Sequence, residues 1–254
     1  MKKLVLVLVI TIHYINATAQ IGEIPPCTFS NPNLIQELKD GVVREGIVLW
    51  GQSSYGVMAS STLKPTDQNP FDKTDTTKYQ TEEDKSIAEI ENQNAREEWA
   101  CQYSAYSLSD GKPSTAWAEG VDGDGIGEVV LVGYTDITKP VKIWTGYGKS
   151  DALFNANNRP AKVKVYLLGT NCSLASQSNV HYKSLKVAGV KEVMLQDMNA
   201  YQPLSLPAIQ HPVNAEPCEY DDGTEIFYFL AIEILSVYKG TRYHDTCISE
   251  IRNQ

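Results

Sequence analysis

Residues 225–238 are apolar at both parities, with Ile226, Tyr228, Leu230 and Ile232 alternating with Phe227, Phe229 and Ala231. Successive side chains of a strand point to opposite faces, so a strand of this composition has to be covered on both sides. Residues 161–168 instead begin with period-two alternation, apolar on one face and lysine on the other. Residues 128–134 and 141–144 read as further strands, 192–195 as a weaker one, and Cys247-Ile-Ser-Glu-Ile251 closes the set. Long polar loops separate these stretches, and helices do not alternate with strands as a doubly wound sheet requires. The expectation is an all-β sandwich with long loops.

The amino-terminal part is mixed. Leu34 to Leu38 suits one helical turn, residues 46–50 a short strand, and Val57 to Leu63 a second strand where the main domain begins. Residues 64–85 are polar and rich in Thr and Asp, which predicts a surface loop. Thr81-Glu-Glu-Asp84 resembles a capping box. It opens a short helical insertion through Glu98, in which Ile87, Ile90 and Trp99 are too sparse for a strong apolar face.

Lys2-Lys3, the apolar run Leu4 to Ile12 and Ala17-Thr18-Ala19 form a secretory signal pattern, which predicts cleavage near Ala19 and export to a periplasmic or extracellular space. The run is too short to span a bilayer, and no other stretch suffices, so no transmembrane segment is expected. The expected organisation is a signal peptide over residues 1–19, a lead-in segment over 20–54 and one domain over 55–254 of the 254 residues. Losing Lys2 and Lys3 takes the formal charge from −9 to −11. Phosphates attract clustered Lys and Arg, so this balance argues against nucleic acid as a partner. Five cysteines in an exported chain allow one or two disulfides with one thiol left over, and their spacing does not say which pair.

Catalytic patterns are missing. Gly123-Asp-Gly-Ile-Gly127 precedes a strand, whereas a dinucleotide loop precedes a helix, and its acids would repel phosphate. Read as an EF-hand, the same stretch would place the required twelfth-position Glu on Gly133, so a flexible acidic loop is expected. His181, His211 and His244 sit in no metal-ligand pattern, and no G-x-S-x-G occurs. The reading is a non-catalytic protein. Gly146-Tyr147-Gly148-Lys149, residues 155–159 and Tyr238-Lys-Gly-Thr-Arg-Tyr243-His-Asp245 mix aromatic rings with amides and charges. Such rings stack on the apolar faces of sugars while polar neighbours bond the hydroxyls.

Asp110-Gly-Lys-Pro-Ser-Thr115-Ala-Trp117 is a tight turn that sets a Thr, a Trp and the Glu119 carboxylate close together. With a closing Ile248-Ser-Glu250-Ile strand it resembles the discoidin, or coagulation-factor C-type, galactose-binding-like sandwich. Trp117-Ala-Glu119-Gly120, Gly125-Ile-Gly-Glu128, Gly146-Tyr147, Asn158-Arg159 and Asp245-Thr-Cys-Ile-Ser-Glu250 are similar to one branch. That branch is the glycan-binding or translocation domain first associated with secreted NAD glycohydrolase toxins. The likeness covers residues 55–251.

The resemblance implies a jelly-roll β-sandwich that recognises a glycan or glycoprotein through loops at one end, with no required cofactor. The proposed ligand surface is Trp117, Glu119, Tyr147, Lys149, Asn158, Arg159, Tyr243 and Asp245. Related sandwiches often hold a structural calcium ion under the turn before the Trp, which would fall to Asp110, Thr115 and Glu250 with backbone carbonyls. Otherwise Asp110 and Glu250 simply accept hydrogen bonds from the turn. Only about 35 mature residues precede the module, too few for a catalytic domain, so no NAD chemistry is transferred. Two rival readings stand beside this one. A secreted hydrolase would pair acids such as Glu119 and Asp245 roughly 5–9 Å apart. A docking domain for a partner protein would present its Tyr and Asn loops as a flat apolar patch.

Overall fold

The computed structural model describes residues 30–44, 47–50, 58–66, 79–133, 135–175, 179–214, 218 and 224–253. Strands are numbered in chain order. One sheet runs β1 (Val42–Val43), β10 (Leu185–Met194), β7 (Arg159–Thr170), β12 (Phe227–Tyr238), β5 (Val129–Val132), β3 (Met58–Ala59). A second runs β11 (Gln202–Leu204), β6 (Val141–Thr145), β13 (Cys247–Asn253), β4 (Trp117–Ala118). A small sheet joins β2 (Ile47–Trp50), β9 (Asn179–Tyr182) and β8 (Ser173–Ala175). All strand pairs are antiparallel.

The doubly apolar strand is β12, and it lies inside the six-stranded sheet between β7 and β5. Leu230, Ile232 and Ile234 pack toward the four-stranded sheet with Trp117, Ile143, Ile248 and Ile251. Phe229 and Ala231 face the other way, onto Tyr182 and onto Leu34 and Leu38 of α1 (Leu34–Lys39). Burial on both faces explains why no polar parity was tolerated. The one interior exception is Glu233, whose carboxylate accepts from the Tyr166 hydroxyl at 2.7 Å.

Three elements differ from the sequence reading. Residues 34–43 of the expected lead-in contribute to the sandwich itself, since α1 covers the sheet and β1 pairs with β10. The insertion helix α2 (Glu82–Ala100) has 19 residues and is longer than expected. Half of the expected capping box forms: Thr81 Oγ1 accepts from the Asp84 amide at 3.1 Å, while Asp84 Oδ2 accepts from the Thr81 hydroxyl at 2.7 Å. Ile87 and Ile90 remain exposed, as their sparse spacing implies. A third helix, α3 (Asp151–Ala156), has no apolar period to announce it and is started by Ser150, whose hydroxyl accepts from the Leu153 amide.

Cys172 and Cys218 form a disulfide, Cys101 is disulfide-bonded as well, and Cys247 is a free, buried thiol. Among the described residues no helix is long and apolar enough to cross a membrane. The expected signal peptide lies outside the described residues.

Candidate functional site

A cleft of about 440 Å³ opens at one end of the sandwich. Ala118 of β4 and Cys247 of β13 form its floor, packed with Leu63, Tyr103 and Tyr147. Tyr147 is set by the turn after β6. Gly146 has φ +76°, and a Cβ there would strike Phe154 and Arg159. Ser249 clamps that turn by donating to the Gly146 carbonyl at 2.8 Å and accepting from the Gly148 amide at 2.8 Å. Burial pushes the Tyr147 phenol above its ordinary range, so it stays a neutral donor.

Tyr243 and Asp245 form another part of the wall. Their loop hangs on the end of α3: the amides of Arg242 and Tyr243 both donate to the Ala156 carbonyl, at 3.1 and 2.8 Å. Asn158 ties the same loop down. Its Nδ2 donates to the His244 carbonyl at 2.6 Å and to Asp124 at 3.0 Å, while its Oδ1 accepts from the Gly240 amide at 2.7 Å. Arg159 lies beneath, bidentate to Asp197 at 2.8 and 2.6 Å, with Nη1 donating to the Asn157 and Lys239 carbonyls. Glu119 holds the loop's far end by accepting from the Thr246 amide at 3.2 Å and from the Val121 amide at 2.9 Å. Its burial raises the carboxyl to about 7, with Asp245 and Glu128 adding repulsion against the pull of those two amides.

The turn before Trp117 lies against the last strand. Asp110 accepts from the Thr115 hydroxyl at 2.7 Å and the Lys112 amide at 2.8 Å. Glu250 of β13 is fully buried, and both of its carboxylate oxygens lack a hydrogen-bond partner. Burial first, and then the nearby Asp110 charge, raise Glu250 to about 7, against Arg252 and the amides of Gly111 and Lys112. Those amides are close enough to favour the anion but do not close hydrogen bonds of normal geometry. Trp117 is fully buried and pairs with Ile248, and its Nε1 donates to the Ser61 carbonyl at 3.0 Å. That bond holds the segment leading into the Leu63–Thr66 wall of the cleft.

The family model for the NAD glycohydrolase translocation F5/8 type C domain matches residues 78–254. The chain belongs to this discoidin-like family. No curated protein matches it. Among solved structures, the chain is similar to arabinofuranosyltransferase AftD from Mycobacteria at 12% identity and TM-score 0.35, covering 82% of this chain and 11% of that one. It is also similar to a GH29 fucosidase from Ruminococcus gnavus at 10% identity and TM-score 0.29, covering 79% of this chain and 25% of that one. The chain thus spans only a small share of either protein.

Within this F5/8 type C domain, the eight expected ligand residues separate into groups. Tyr147, Tyr243 and Asp245 line the cleft. Lys149 is exposed beyond it and is not part of its wall. Trp117, Glu119, Asn158 and Arg159 are buried outside the cleft lining, and each spends polar atoms on the protein. They position the cleft from below and do not form its surface. Because Glu119 is sealed off, Glu119 and Asp245 do not make a carboxylate pair facing the cleft. The glycine loop read as flexible is also fastened, since Asp124 bonds Asn158 and pairs with Lys239. Sequence reasoning missed Gln102 and Tyr103, which line the cleft, as does Asn157 of the 155–159 stretch. Gln102 and Tyr103 follow the insertion helix directly, and no local pattern places them opposite Tyr147.

Asn158→Ala removes three hydrogen bonds from a site that is almost fully buried. The expected loss is about 1–3 kcal/mol of stability, read by thermal melting. Faster amide exchange at Gly240 should accompany it. An unchanged exchange rate there would show that the loop does not depend on this clamp.

Proposed function

We propose that this chain is an exported, non-catalytic carbohydrate-recognition domain whose ligand sits in the cleft between Tyr147 and Tyr243. One observation supports the reading above the others. Most buried polar groups nearby are already committed, yet the Asp245 carboxylate, the Tyr147 and Tyr243 hydroxyls and the Gln102 amide have no hydrogen-bond partner among the described residues. Aromatic surface beside unspent polar groups, in a cleft of this size, suits one or two sugar rings. The disulfide Cys172–Cys218 and the secretory pattern of residues 1–19 support export. Any enzymatic activity associated with the family would come from another domain or a partner protein.

The test is glycan-array binding with melting curves taken in parallel. Tyr243→Ala and Asp245→Ala are expected to weaken binding about tenfold or more with little change in melting temperature, because hydrogen bonds to charged groups and aromatic stacking are each worth on the order of 1–3 kcal/mol. Lys149→Ala should bind like the parent. Undiminished binding by the Tyr243 and Asp245 variants would remove the cleft from consideration.

Asp110, Thr115 and Glu250 are proposed as oxygen donors to a structural calcium ion. The donor types fit: two carboxylates and a hydroxyl are hard ligands, and the orphaned Glu250 oxygens are what a cation would satisfy. No three acidic, His or Cys side chains among the described residues are placed to hold a metal ion by themselves. Backbone carbonyls and water would therefore complete the shell. Bound there, calcium would tie the turn to β13 and leave the cleft chemistry to the loops.

A further inference from the structure

Among the uncommitted groups in the cleft, the Tyr147 and Tyr243 hydroxyls and the Gln102 amide can donate or accept, so the Asp245 carboxylate sets the bias that bears on what kind of sugar is recognised. Asp245 offers only acceptor oxygens when ionised. Asn157 places one Nδ2 hydrogen on the Leu153 carbonyl at 2.8 Å, which leaves its Oδ1 as an acceptor and its second N–H as a donor. Cys247 on the floor is pushed well above the ordinary thiol range by burial and remains neutral. Glu119 lies behind the wall, near enough to Asp245 for the two carboxylates to repel. Resting on the carbohydrate reading above, we infer that the cleft selects sugars presenting hydroxyl or amino donors to Asp245 and discriminates against sugars carrying a carboxylate or sulfate at that edge.

Two cations stand against this. Lys64 lines the cleft but is exposed, and the exposed Arg242 is held over the Tyr243 ring at 4.9 Å. Exposed charges are screened over a Debye length of about 8 Å at physiological salt, so they act on arrival more than on the seated complex. The carboxylate of Asp245 is half-buried and acts at contact distance. There, two acceptors facing each other leave both desolvated without a bond.

The experiment uses the full mature chain and matched oligosaccharides: neutral hexoses, the uronic acids of the same stereochemistry, and the 2-amino sugars. Neutral and amino members are expected to bind about tenfold or more tighter than their uronate partners, the size of one lost charged hydrogen bond. Asp245→Asn supplies an N–H donor in nearly the same volume. It should shrink that preference below about threefold, mainly by improving uronate binding, and leave the melting temperature unchanged. Equal binding of uronate and neutral members by the parent, or the same preference in Asp245→Asn, overturns the charge selection while leaving the carbohydrate reading intact. Failure of every sugar to bind overturns the carbohydrate reading itself.

Discussion

Trp117→Ala is expected to lower the stability of the domain by about 3–5 kcal/mol, the range for emptying a fully buried aromatic site. The side chain is 0% exposed and packs in the main core with Ile143, Ile248 and Ile251. Its Nε1 bond to Ser61 is lost in the same step, which also frees the wall of the cleft. For a domain of this size the melting temperature should fall by roughly 6–20 °C. Trp117→Phe separates the two contributions, because it keeps most of the apolar volume and removes only the bond, worth about 1 kcal/mol. A melt of Trp117→Ala within a degree or two of the parent would mean that the ring is not enclosed between the sheets. That result would also undercut the placement of the turn before it.

Glu250→Gln is expected to stabilise the calcium-free protein at pH 8 by on the order of 2–3 kcal/mol. Burial raises the folded-state carboxyl from 4.5 to about 7. Between those values the folded protein holds a proton that the unfolded chain has released, so stability falls as pH rises through this window. Above about 7 both states are ionised and the penalty is complete. Glu119 is raised over the same range, from 4.5 to about 7. The informative quantity is therefore the difference between parent and Glu250→Gln melts, measured in chelator from pH 4.5 to 8. Calcium should act in the opposite direction on the parent, raising its melting temperature at pH 8, and should have no effect on Glu250→Gln. Parallel pH curves for the two proteins would show that Glu250 is not held at a raised pKa. A calcium response that survives the substitution would place the ion elsewhere.

Much of the cleft was legible only in part. Tyr147, Tyr243 and Asp245 stood out because aromatic and charged residues in Gly-rich segments suggest a surface. The same logic also picked Asn158 and Arg159, which the fold buries. A sequence shows that a polar residue is available to bond but not what it bonds. Here a neighbouring loop's carbonyls and Asp197 claimed these side chains. Gln102 and Tyr103 carried no signal at all, being placed by where the insertion helix ends.

The sequence alone determined the architecture. Strands read from alternation, one strand apolar at both parities and no helical period through the centre leave a layered antiparallel sheet as the arrangement that buries the apolar surface. That a turn ending in Trp117 meets the final strand was implied by the resemblance to discoidin-like sandwiches, and Trp117 does pair with Ile248 there. Tertiary structure decided which face each polar group reaches. Glu119, Asn158 and Arg159 became supports and Asp245 became surface, because burial and hydrogen-bond satisfaction depend on segments far apart in the chain. Thr246 meets Glu119 and Gly240 meets Asn158 only once the strands have paired.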